Sequence, residues 1–115
     1  MKRRIDLQTL LSQATDKDQQ VASFALLSLG VIESLVGEAI TASNAIELFF
    51  HADNCLFVRK QLRRRVADEI MSRGVQLPDI FDTLPAEKAQ QEFQRELAAM
   101  RMLCLKLFGD RQLAA

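Results

Sequence analysis

Over residues 18–36 apolar side chains recur at every third or fourth position. Val21, Phe24, Ser28, Val31, Ile32 and Leu35 form the main stripe, and Ala25, Leu27, Leu29 and Val36 widen it. At about 3.6 residues per turn these positions cover roughly half of a helical circumference. A helix apolar over so wide an arc packs against several neighbours at once, so this segment predicts the central helix of a helical bundle. Gly30 lies just outside the stripe, where it would let another helix come close. Gly37 is placed to end the helix.

The rest of the chain follows the same period. Leu7, Leu10, Leu11 and Ala14 predict a short first helix with Asp6 as its cap, broken by "ATDKD". "ITASNAIELFF" predicts a third helix capped by Thr41, with Ile40 stapled to Ala45 and a stripe of Ala45, Ile46, Phe49 and Phe50. A fourth, capped by Asp53 or Asn54, is lined by Cys55, Val58, Leu62, Val66 and Ile70. Arg73 suits its C-terminal dipole and Gly74 ends it. "VQLPDIFDTLP" holds both prolines and reads as the one long interruption, pinned by Leu77, Ile80, Phe81 and Leu84, with a single turn over 79–82. A fifth helix starts near Pro85 and ends at Gly109, with Ala89, Phe93, Leu97, Met100, Cys104 and Leu107 facing the core. No stretch alternates with period two, so no strand is predicted. The expected fold is a single all-α domain over residues 1–115, a bundle of about five helices with a buried second helix and a long C-terminal one.

Composition narrows the function classes. At 115 residues there is room for one core. An apolar share of 49% argues for a globular chain. Formal charge is zero, so no global field draws the protein to nucleic acid or an acidic membrane. Trp and Tyr are absent, and Phe supplies every aromatic ring. Cys55 and Cys104 fall inside apolar helical patterns and read as free thiols rather than a disulfide framework. The basic start is too quickly polar for a signal peptide, and "FALLSLGVI", broken by Glu33, is too short for a span. The expectation is a soluble cytoplasmic protein with no membrane contact.

The stretch "LFFHADNCLF" brings the only histidine close to Asp53 and Cys55. A metal site needs about three converging ligands, and only Glu47, His51 and Asp53 offer themselves. Without a second histidine or a paired-cysteine motif, the plainer reading is a capped turn. His51 then pairs with Glu47 on the surface while Cys55 turns to the core. One histidine, no nucleophile elbow and no phosphate loop leave no catalytic constellation. The expectation is no enzyme, no metal and no cofactor.

Two features point to partners. The C-terminal "MRMLCLKLF" is apolar nearly all round, and Ala98, Met102 and Leu105 form a second stripe opposite the core stripe. Helix one or the "QLPDIF" segment would cover it in the plainest case. A second copy of the chain, or a helix-in-groove contact with another protein, are the alternatives. Leu77, Ile80 and Phe81 could add to such a surface. The other feature is "VRKQLRRRVADE", where Arg59, Lys60, Arg63 and Arg64 share one side of the fourth helix and could contact phosphates. Lys2, Arg3 and Arg4 would extend it if the N-terminus lies nearby. Against this, Asp68 and Glu69 stand four positions after Arg64 and Arg65, and no stacking aromatics are interleaved. The first expectation is therefore a non-catalytic interaction or regulatory protein that self-associates through Ala98, Met102 and Leu105. The alternative is nucleic-acid binding through the basic face.

Overall fold

The computed structural model describes the backbone of residues 4–114 and the side chains of residues 4–109. It contains six α-helices and, among the described residues, no strand: α1 (Leu7–Leu11), α2 (Lys17–Val36), α3 (Ala42–Leu48), α4 (Ala52–Phe57), α5 (Arg65–Thr83) and α6 (Ala86–Ala114). A π turn over Val58–Leu62 joins α4 to α5. The all-α expectation holds, with one core running through all six helices.

Helix α2 is the centre, touching α1, α3, α5 and the π turn, and α6 packs along both α2 and α5. Its buried residues are Val21, Ala22, Phe24, Ala25, Ser28, Val31, Ile32 and Leu35. By length and composition the whole of α2 is also apolar enough to cross a membrane, a test that a buried core helix passes as well. Here part of that apolar surface is buried, chiefly against α6. Ser28 is fully buried and its hydroxyl has no partner among the described residues, a cost of about 1–3 kcal/mol for an unsatisfied buried group. Gly37 closes the helix at an ordinary negative φ. The left-handed residue is the next one, Glu38, at φ 61°.

The N-terminal cap predicted for α1 is present. The Asp6 carboxylate accepts from the Thr9 hydroxyl at 2.8 Å and the Thr9 amide at 3.4 Å. The Thr9 hydroxyl bond, ahead of the amide bond, holds the Asp6 pKa below the ordinary carboxylate value. The cap is therefore formed at neutral pH and weakens as pH falls through the lowered pKa. Thr41 caps α3 through a reciprocal box with Asn44, at 3.1 Å in both directions.

The second half departs from the predicted boundaries. The predicted fourth helix is two elements. The chain leaves α4 through the π turn, where the Arg63 amide donates to Val58 O at 3.0 Å, and Arg63 sits in the left-handed region at φ 55°. An extra residue in that turn keeps both Val58 and Leu62 in the core while α5 sets off in a new direction. The left-handed arginine costs about 1–2 kcal/mol, which the buried pair offsets.

Gly74 does not end a helix, and "VQLPDIFDT" is not an interruption, because α5 runs through both Gly74 and Pro78 to Thr83. Its buried stripe, Ala67, Ile70, Met71, Gly74 and Leu77, keeps helical spacing throughout. A proline here removes one backbone bond, to the carbonyl four residues earlier. That carbonyl belongs to Gly74. Gly74 is buried because the Phe50 ring lies where a Cβ would be, 2.4 Å from its built position. Gly30, expected to admit a neighbouring helix, has nothing within 4 Å of that position and faces open space. Arg73 is not at a helix terminus. It ties α5 to α6, bonding Glu96 at 2.8 Å and Glu69 at 2.9 Å. Those two carboxylates, Glu96 foremost, raise its pKa above the ordinary guanidinium value. Gly109 does not close α6, which continues to Ala114.

Candidate functional site

The histidine stretch is a turn, but of a different kind from the one expected. His51, not Asp53 or Asn54, is the N-cap of α4, its Nδ1 accepting from the Asn54 amide at 3.4 Å. Nδ1 also accepts from the Arg4 guanidinium at 2.7 Å, and Nε2–H donates to Ile5 O at 3.0 Å. One neutral tautomer, with the proton on Nε2, satisfies all three contacts. Glu47 is exposed and does not bond His51. Asp53 instead pairs with Arg4 at 3.1 Å.

Asn54 is fully buried beside them. Its amide donates to Ile5 O at 2.9 Å and Phe49 O at 2.8 Å, and its oxygen accepts from the Leu7 amide at 3.0 Å. The Ile5 amide donates to Leu48 O at 2.8 Å. The turn is thus a clasp that holds the segment before α1 against α3 and α4. No three His, Cys, Asp or Glu side chains among the described residues are grouped so as to hold a metal ion. Both cysteines are free. Burial pushes the Cys104 thiol up to about 12 and raises that of half-buried Cys55. Neither is poised as a nucleophile.

The second stripe of the C-terminal helix is uncovered. Ala98 is exposed, Met102 is 64% exposed and Leu105 is 45% exposed. Neither α1 nor the "QLPDIF" segment lies over them; the latter is part of α5, and its Leu77 is fully buried in the core. Leu77 therefore leaves the set of candidate surface residues.

The uncovered stripe continues onto α2. Arg101 bonds Glu33 at 3.0 Å across the two helices. Leu35 and Glu38 share a cleft with Gln90, Phe93 and Gln94. Residue numbers thus rise along α2 as they fall along α6, which makes the pair antiparallel. Leu26, two turns before Glu33 and 55% exposed, then lies on the same outer face as Leu105, one turn after Arg101. Gly30, one turn after Leu26 on α2, adds no side chain to that face. The face is a shallow apolar patch of Leu26, Ala98, Met102 and Leu105 with one ion pair at its margin. Leu26 is left out of the predicted stripes; its spacing of four from Gly30 and seven from Glu33, both outside the core stripe, is the signal for the opposite face.

The basic residues do not share one side of a regular helix. Arg59 and Lys60 are on the π turn, Arg63 is the left-handed residue, and Arg64 is the extended residue before α5. All four are exposed. The predicted local neutralisation is not formed: Arg64 pairs with Asp18 at 3.3 Å, and Glu69 is taken by Arg73. Arg4 lines a cleft with Lys60, so the two basic segments do approach one another. Lys2 and Arg3 lie outside the described residues.

Comparison with known proteins gives no match: no family model, no curated protein and no solved structure matches the chain.

Proposed function

We propose that this chain is a non-catalytic interaction protein that associates with a second copy of itself through the outer face of α2 and α6. The observation that carries this reading is the exposure of Met102, Leu105 and Leu26 together on two adjacent helices. A face with one cation and one anion side by side is self-complementary about a two-fold axis, because Arg101 of each copy can then meet Glu33 of the other. The zero net charge adds no long-range repulsion between copies.

The six large side chains of two copies are already partly covered, and burying the remainder contributes roughly 1 kcal/mol each. That is of the order of the association cost, about 4–15 kcal/mol, so the dimer is modest in affinity and depends on concentration. Light scattering behind a sizing column, across protein concentration and salt, tests it. The wild type should approach twice the chain mass as concentration rises. Met102→Glu places a charge in the patch and should return it to the monomer mass. A dimer whose mass the substitution leaves unchanged does not use this face.

A second reading is favoured by the basic turn. Arg59, Lys60 and Arg63 have no ion-pair partner among the described residues, and Arg59 and Arg63 line a cleft at the start of α5, which has no side-chain cap. Phosphate oxygens suit both features, and the corresponding partner is a nucleic acid. Reversing the charge at Arg59 and Arg63 together should abolish binding to a labelled duplex in a mobility-shift assay at low salt. Equal binding by the double variant removes this reading.

A further inference from the structure

A second surface lies at the other end of the α2–α6 pair. The end of α2, the loop after it, the start of α3, the last turns of α5 and the start of α6 enclose an open groove of about 460 Å³. Leu35, Ile40, Pro78, Phe81 and Phe93 supply its apolar floor. Phe81 is 44% exposed, yet its ring is held against Phe93 with centroids 5.0 Å apart. The ring is a preset platform rather than a loose side chain, so little ordering is needed to bind on it. The size is that of a ligand site, not of a packing defect.

The charge on the groove has one sign. Among the described residues, Glu38 and Asp82 are the only charged ones that line it. The Glu38 backbone is held in its left-handed turn by bonds from its amide to Leu35 O and from the Ala39 amide to Ser34 O, at 3.2 and 2.8 Å. Carboxylates lining an apolar floor complement an apolar group that carries a cation. The geometry points to this groove as a docking site for a partner protein segment that pairs a bulky apolar side chain with an adjacent lysine or arginine. The apolar group seats on Phe81 and Phe93, and the cation meets Glu38 and Asp82. The site shares no surface residue with the α2–α6 face and does not depend on self-association.

The test is an NMR titration of the full isotope-labelled chain with two capped amphipathic dodecapeptides, one of leucine and lysine, the other of leucine and glutamate. The lysine peptide should move the amides around Leu35, Ile40, Phe81 and Phe93, and rising salt should weaken it. Asp82→Lys should bind it about fivefold more weakly, the scale of one surface charge pair. Phe81→Ala should lose most of the binding while keeping a dispersed, folded spectrum. The same titration on Met102→Glu should be unchanged. Equal binding of the glutamate peptide, shifts confined to the Met102 face, or no shifts at millimolar peptide would each overturn the proposal.

Discussion

Asn54→Ala is expected to lower the unfolding free energy by about 3 kcal/mol, because it leaves two buried backbone groups without partners at about 1–3 kcal/mol each. Those groups are the Leu7 amide and the Phe49 carbonyl. Ile5 O keeps its bond from His51, so the clasp is weakened rather than emptied. The loss has a location as well as a size. Leu7 is fully buried, and α1 is only five residues long. A helix that short has no stability of its own and depends on tertiary contacts. Urea unfolding would measure the global change, and amide exchange would show protection lost first at Leu7 and along α1. A loss below about 1 kcal/mol would mean that the three bonds to Asn54 are replaced by water at little cost.

Gly74→Ala is expected to destabilise the chain by about 2 kcal/mol, against the usual trend for helix interiors. Propensity alone favours alanine by about 1 kcal/mol. The new Cβ, however, would stand 2.4–2.5 Å from three atoms of the Phe50 ring. That ring cannot withdraw easily: it is fully buried and packed edge-on to Phe49 at 5.2 Å. Overpacking of this kind costs about 1–3 kcal/mol and occasionally more. Gly30→Ala is the contrast, since open space surrounds that position. It should stabilise by about 0.8 kcal/mol, the propensity difference unopposed. Denaturation midpoints of the two variants should therefore move in opposite directions. If both rise, the Phe50 ring yields to the added methyl group without strain.

Much of the fold is legible in the residues taken in order. The buried arc of α2, the Asp6 and Thr41 caps and the α6 core stripe all follow from local spacing and side-chain chemistry. What misled was local grammar applied where packing overrode it. Gly74 and Pro78 read as a stop, yet the stripe from Ala67 to Leu77 continued across them, and burial of Met71 and Leu77 outweighed one missing backbone bond. "QLRRR" contains no glycine or proline, so nothing local announced a left-handed residue there; it arises because α4 and α5 must point differently while Val58 and Leu62 both stay buried.

The candidate surfaces divide in the same way. The second apolar stripe at Ala98, Met102 and Leu105 was visible as periodicity, but periodicity does not say whether a neighbour covers it. Only the antiparallel placement of α2 against α6 joins Leu26 to that stripe. His51 and Asn54 show the same limit, since their partners, Arg4, Ile5 and Leu7, lie more than forty positions away. By itself the sequence determined the helical state, the Asp6 and Thr41 caps and which residues prefer the core, because these depend on neighbours within about four positions. The tertiary structure alone decided where helices break and which apolar faces stay bare. Those depend on how buried area summed over distant segments compares with the local cost of a strained or unbonded residue.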